Sequence, residues 1–247
     1  GGHYNGGPLA HWSCPTEEPM SRKPTIVARK NGPYLVTHCQ ILKGSADGKV
    51  HDTAGTVALC RCGGSANKPF CDGTHNTIGF TDGKAADRVP DKRENYVGAG
   101  VTLHDNRGIC AHMGYCTDQL PAVWRTGTEP WIDPDGAAGE RVAEQTRRCP
   151  SGALSHSVDG VEHRDQERSP TIQVVAAGPY FVTGGIELQH TEGGEGASRE
   201  HYTLCRCGRS KNKPFCDGTH WYVDFTDPGL DTSAAASDAE ETDKETV

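Results

Sequence analysis

The stretch CRCGGSANKPFCDGTH, Cys60 to His75, is written a second time as CRCGRSKNKPFCDGTH, Cys205 to His220. Both keep three cysteines and one histidine in the order Cys-x-Cys-x8-Cys-x3-His. The likeness extends outward. PTIVARKNGPYLVT starts at Pro24 and PTIQVVAAGPYFVT at Pro170, and each copy ends in an aromatic-Thr-Asp step, Phe80-Thr81-Asp82 and Phe225-Thr226-Asp227. A match this long is not chance, so the chain holds two homologous domains, near 24–84 and 170–229.

Each copy opens on β-formers. Thr25 to Ala28 and Tyr34 to Thr37 read as strands about the turn signal Asn31-Gly32-Pro33, and the second copy does the same around Gly178-Pro179. Val57 to Leu59 leads straight into Cys60, so a strand delivers the first two cysteines. Asp72 suits a helix N-cap, which would set a short helical turn under His75. Residues 95–165 differ: Val101 to His104 reads as a strand and Ala137 to Arg148 as a helix that ends at Cys149-Pro150. Residues 1–23, Gly-rich with isolated Trp12 and Cys14, read as an unstructured extension, within which Met20 could be a natural start. The tail 230–247, rich in Ala, Ser, Thr, Asp and Glu, reads as disordered.

Composition fits small stapled units. Only 34% of residues are hydrophobic, and 31 Gly with 15 Pro imply many turns, so one large apolar core is not expected. The 11 cysteines are an odd number, and no signal peptide or membrane-length apolar run is seen. Disulfides are therefore disfavoured, a cytoplasmic location is expected, and metal is the expected staple. A net charge of −8 speaks against nonspecific nucleic-acid binding.

Cys60, Cys62, Cys71 and His75 could satisfy tetrahedral zinc. Zinc knuckles, however, commonly place their cysteines two to four residues apart. A pair split by one residue on an extended strand suits two thiolates on one iron of a two-iron cluster. Cys71 and His75, close on a helical turn, then suit the other iron. Lys68 and Lys213 lie beside the motifs, either offsetting cluster charge or simply solvated.

These stretches resemble the CDGSH iron–sulfur family, whose pattern is C-x-C-x2-S/T-x3-P-x-C-D-G-S/A/T-H. Ser65, Pro69, Asp72 and Gly73 fit it, as do Ser210, Pro214, Asp217 and Gly218, with Thr74 and Thr219 at the variable hydroxyl. The resemblance implies two 2Fe–2S clusters. One has Cys60 and Cys62 on one iron, and Cys71 and His75 on the more exposed iron. The other has Cys205, Cys207, Cys216 and His220 in the same roles. Family members form two-fold dimers by exchanging strands, so the two repeats imply an internal pseudo-dimer. Some members also carry a membrane anchor, and none is expected from this sequence.

Between the copies, Cys110 and Cys116 stand six apart and Cys149 precedes Pro150. On a ferredoxin run these are the first, third and remote ligands, with Met113 where the second cysteine would be. CAHMGYC (Cys110 to Cys116), Pro130-Trp131-Ile132 and CPSGAL (Cys149 to Leu154) resemble the divergent ferredoxin-type mono-cluster domain. That resemblance implies a 4Fe–4S cluster, and the missing thiolate leaves open a 3Fe–4S cluster, or a 4Fe–4S cluster completed by His112 or another group. Cys14 and Cys39 read as ordinary free thiols.

The expected fold is mainly β, in small irregular metal-stapled domains: two β-rich CDGSH units and a small α+β ferredoxin-like unit. No dinucleotide loop, P-loop or serine elbow is present, so the chain reads as an electron carrier rather than an enzyme. Its expected partners are redox proteins. The alternatives are cluster transfer to apo-acceptor proteins, redox or iron sensing, and a structural zinc protein acting through protein contacts.

Overall fold

A computed structural model describes residues 23–38, 42–44, 50–51, 55–227 and 229. The extension bearing Trp12, Cys14 and Met20, the thiol Cys39, and the tail 230–247 lie outside the described residues.

In the first repeat, β1 (Thr25–Ala28) and β2 (Tyr34–Thr37) form the expected hairpin, with Ile26 opposite Val36. Its turn closes through Gly32 N–H to Arg29 O at 3.0 Å, and Asn31 supplies the left-handed φ of 47°. There follow β3 (Leu42–Gly44), β4 (Val50–His51), β5 (Thr56–Leu59) and the short helix α1 (Thr74–Thr77). The middle segment carries β6 (Arg93–Val97), β7 (Thr102–Asn106), α2 (Tyr115–Gln119), α3 (Gly139–Arg147), β8 (Leu154–Val158) and β9 (Val161–His163). The second repeat adds β10 (Thr171–Val174), β11 (Tyr180–Thr183), β12 (Glu187–Gln189) and β13 (Tyr202–Leu204).

The two repeats exchange strands. One sheet runs β12-β1-β2-β5 and the other β13-β11-β10-β3-β4. Thus β12 of the second repeat pairs parallel with β1, and β3 of the first pairs parallel with β10. Neither repeat completes its sheet alone. Their inward faces merge into one core, in which Ile26, Val36 and Leu59 meet Ile172, Val182 and Leu204. The expected internal pseudo-dimer is this shared core.

Two tyrosines sit at its centre. The rings of Tyr34 and Tyr180 meet edge to face, 6.1 Å between centroids. Each hydroxyl reaches across to the other repeat's cysteine loop. Tyr34 Oη donates to Cys205 O (3.0 Å) and Pro214 O (2.8 Å); Tyr180 Oη donates to Cys60 O (2.9 Å) and Pro69 O (3.1 Å). Tyr34→Phe and Tyr180→Phe are each expected to cost about 1–2 kcal/mol, the net worth of a buried hydrogen bond. Denaturant unfolding of the cluster-loaded chain measures it. A midpoint unmoved in both variants would show that these bonds do not fasten the repeats together.

The middle segment has its own antiparallel sheet, β6-β7-β8-β9, and its own core around Leu103, Val123, Trp124, Ile132 and Val142. Helix α3 covers β8, and the middle helix expected over Ala137 to Arg148 spans Gly139–Arg147. Asp105 on β7 is buried, and neither carboxylate oxygen has a hydrogen-bond partner. Burial pushes its carboxyl up to about 7. A carboxyl raised on folding leaves stability untouched at low pH and erodes it as pH climbs through the raised value. Asp105→Asn should therefore match the wild type near pH 4 and exceed it near pH 8. Equal pH dependence of the two unfolding midpoints would refute the assignment.

Candidate metal centres

The two repeated motifs adopt one local geometry. Strand β5 ends at Cys60, whose N–H donates to Pro69 O at 2.7 Å, while Cys71 N–H returns to Ala58 O at 2.8 Å. Those bonds fold the Cys62–Cys71 loop back on its own strand. The second copy repeats them: Cys205 N–H to Pro214 O (2.8 Å) and Cys216 N–H to Thr203 O (3.1 Å). Ser65 and Ser210 brace the loops, each hydroxyl donating at 2.7 Å, to Phe70 O and Phe215 O respectively.

Asp72 does not take the N-cap position expected of it. Gly73 does, at a φ of 90°, because glycine enters the left-handed region freely. Asp72 instead ties the loop from one residue earlier, its two carboxylate oxygens accepting Thr74 N–H (3.0 Å) and Ala66 N–H (2.8 Å). The hydrogen bonds from Thr74 and then Ala66 hold its carboxyl well below the usual range. Asp217 does the same with Thr219 and Lys211, before a single 3-10 turn, Thr219–Tyr222. Lys68 and Lys213 spend their ammonium groups on Ser65 O and Ser210 O, both at 2.6 Å.

The donor atoms come in close pairs. Cys60 Sγ lies 3.9 Å from Cys62 Sγ, and Cys205 Sγ 3.8 Å from Cys207 Sγ. Cys71 Sγ lies 3.4 Å from His75 Nδ1, as does Cys216 Sγ from His220 Nδ1. Metal–sulfur bonds of about 2.3 Å at a tetrahedral angle hold sulfurs roughly 3.8 Å apart, and a sulfur and an imidazole nitrogen roughly 3.5 Å apart. Each pair thus fits one tetrahedral metal. Among the described residues no three His, Cys, Asp or Glu groups converge as for a single ion. The arrangement is two plus two, which fits a two-metal group. Backbone N–H groups point at the inner sulfurs, Gly64 to Cys62 Sγ at 3.4 Å and Arg209 to Cys207 Sγ at 3.5 Å, and such bonds favour thiolate.

Burial shapes the protonation of the second copy. It pushes the Cys216 thiol up and holds the His220 imidazole down at about 4, so that ring is neutral near pH 7 and its lone pair is available to a metal. Cys205 and Cys207 are shifted apart, up and down, chiefly by the hydrogen bond between them. In the first copy, burial raises Cys62. A metal entering either site displaces protons from these thiols.

The residue between the first two cysteines was legible only as a repeated arginine. Arg61 and Arg206 are buried. Arg206 donates to Gly178 O (2.9 Å) and Val175 O (2.6 Å), pairs with Asp227 (2.5 Å) and lies over Tyr180 and Phe225. Arg61 bonds Arg29 O and Asp82 and lies over Tyr34 and Phe80. The repeated aromatic-Thr-Asp step is therefore the clamp on that arginine. It ties each cysteine strand to the hairpin turn of its own repeat.

In the middle segment, Cys110, Cys116 and Cys149 line one cavity of 120 Å³ together with Arg107, His112 and Met113. Cys110 follows the turn Arg107–Ile109, Cys116 lies on α2, and Cys149 follows α3. His112 has a φ of 51°, and its N–H points to Cys110 Sγ at 3.4 Å. Its Nδ1 stands 3.3 Å from an Arg107 guanidinium nitrogen. Burial pushes the Cys110 thiol up to about 12 and Cys116 to about 11. Three thiols and a guanidinium around one cavity fit an anionic cluster. The sequence reading brought the three cysteines together; it gave no role to Arg107.

Comparison with known proteins agrees with this layout. A family described as "Iron-binding zinc finger CDGSH type" matches residues 31–76 and 177–221. A family described as "Divergent 4Fe-4S mono-cluster" matches residues 96–159. The chain is 33% identical over 61 residues to the uncharacterized protein YjdI of Escherichia coli strain K12, covering 25% of this chain and 80% of that protein. The O157:H7 form of YjdI matches equally. No solved structure gives a significant match. The chain carries two tandem domains of the CDGSH iron-binding type with a divergent 4Fe–4S mono-cluster domain between them.

Proposed function

We propose that this iron–sulfur protein is a one-electron carrier with three cluster sites. Cys60, Cys62, Cys71 and His75 would hold one 2Fe–2S cluster, and Cys205, Cys207, Cys216 and His220 a second. Cys110, Cys116 and Cys149 would hold a 4Fe–4S or 3Fe–4S cluster, with His112 as a possible fourth ligand. The observation that carries this reading is the duplicated two-plus-two donor set at tetrahedral separations. The clusters, when bound, supply reversible one-electron chemistry. The chain supplies thiolates, a neutral imidazole, N–H groups aimed at sulfur and a guanidinium at the middle cavity. Its partners are redox proteins of the same one-electron class. All nine cysteines among the described residues are free, which supports a reducing compartment such as the cytoplasm. Among the described residues no helix is long and apolar enough to cross a membrane.

One observation favours a second activity at the first site. Cys71 and His75 are only half-buried, which suits handing a cluster to an apo-acceptor protein. Metal, sulfide and EPR analysis of anaerobically prepared protein tests the main reading. About four irons from the repeats and about three or four from the middle segment are expected, with acid-labile sulfide. Stoichiometric zinc without sulfide would overturn it.

A further inference from the structure

The two CDGSH copies are near duplicates in sequence and unequal in space. Cys216 and His220 are 2% and 4% exposed, whereas Cys71 and His75 are half-buried. The difference comes from the middle segment, which docks on the second copy. A Cβ on Gly218 would lie 2.8 Å from His112 Cβ, so the Cys216–His220 loop touches the Cys110–Cys116 loop almost backbone to side chain. The matching Gly73 has nothing within 4 Å of that position. Asn212, inside the second motif, donates to Gly108 O at 2.8 Å. The matching Asn67 is exposed.

Trp221 completes the junction. Its ring lies 4.7 Å from the His220 ring, centroid to centroid, and its indole N–H donates to His112 O at 3.1 Å. One side chain therefore touches a ligand candidate of the second site and the loop that holds Cys110. The first repeat has Asn76 there, exposed to solvent. The second site also abuts the first. A Cβ on Gly63 would lie 2.5 Å from Cys207 O, and one on Gly208 would lie 2.3 Å from Cys62 O. Both glycines adopt positive φ, so these backbones meet where no side chain fits.

We infer that the three sites form an ordered series, middle, then second, then first, with Trp221 and His112 coupling the middle site to the second. The second site is the interior member, touched from both sides. The first, with Cys71 and His75 half-open, is the end presented to a one-electron redox protein. The series rests on the proposed cluster sites, and its order is separate from them.

The test uses the full chain, loaded anaerobically, with iron and sulfide counted first. Absence of iron and sulfide in the wild type would sink the cluster reading itself. Given loaded protein, Cys71→Ser isolates the second 2Fe–2S signal beside the middle site, and Cys216→Ser isolates the first. In fully reduced samples, microwave-power saturation reads how strongly each signal feels the middle cluster. The second-site signal is expected to need several-fold more power to saturate than the first-site signal. Equal saturation, or the reverse order, overturns the series. Trp221→Asn, which installs the first repeat's residue, tests the bridge. Chelator-driven loss of the second-site absorbance should then speed up several-fold, toward the first-site rate, and its saturation behaviour should change. An unchanged rate with unchanged saturation in a fully loaded variant overturns the role of Trp221.

Discussion

His75→Cys and His220→Cys are each expected to lower the reduction potential of their own site by about 100 mV or more, the direction set by the gap between thiolate-ligated and histidine-ligated two-iron centres. The physical reason is charge. The imidazole is the one neutral donor in each set, and a thiolate in its place makes the oxidised site one unit more negative. Adding an electron to a more negative group is harder. The shift should be larger at the second site, because His220 is buried and the added charge is less screened there than at half-buried His75. A redox titration followed by EPR reads each site, and iron content shows that each variant is loaded. Potentials within experimental error of the wild type in both loaded variants would remove the histidines from the donor sets and the two-plus-two assignment with them.

Cys110→Ser, Cys116→Ser and Cys149→Ser should each abolish the middle-site EPR signal and leave the two 2Fe–2S signals present. The three thiols share one cavity, so no single loss is made good by the others. His112→Ala separates the two nuclearities. Its Nδ1 faces Arg107, and the loop around it carries Cys110 and Cys116. A 3Fe–4S cluster held by three thiolates keeps its signal in His112→Ala, and an unaltered signal removes the imidazole from the ligand set. Conversion from a 4Fe–4S to a 3Fe–4S signal identifies the imidazole as the fourth ligand. Three cysteine variants that all keep the wild-type signal would show that the cavity holds no cluster.

Much of this was legible because it is local. The hairpin β1–β2 was written in β-formers around a turn, and the spacing of each Cys-x-Cys-x8-Cys-x3-His run is itself a statement about which donors can meet. Spacing could pair Cys60 with Cys62 because one intervening residue on a strand end leaves the two sulfurs a tetrahedral edge apart. It misplaced Asp72, since a left-handed glycine next to it competes for the cap position. The family resemblance put Cys216 and His220 on the more exposed side of their site, where they are in fact buried. Arg61 and Arg206 were visible as letters but not as clamps. Their partners, Asp82 and Asp227, are remote in sequence, and a buried arginine is recognised only when its carbonyls and rings are seen around it.

By itself the sequence determined the repeat, the candidate donor types and their spacing, and it carried the resemblance to the two families. These depend on short-range geometry and on patterns a linear text preserves. Only the tertiary structure decided how the copies relate. The exchange of β3 and β12 between sheets is a choice among strand partners that alternating hydrophobicity cannot specify, because either partner buries the same faces. Only it decided, too, that the middle segment rests on the second copy and not the first. That contact hangs on Trp221, Asn212 and the open side of Gly218, where two loops distant in sequence meet. Two motifs nearly identical in residues thereby become one covered site and one half-open site, because burial belongs to the neighbours a motif acquires and not to the motif.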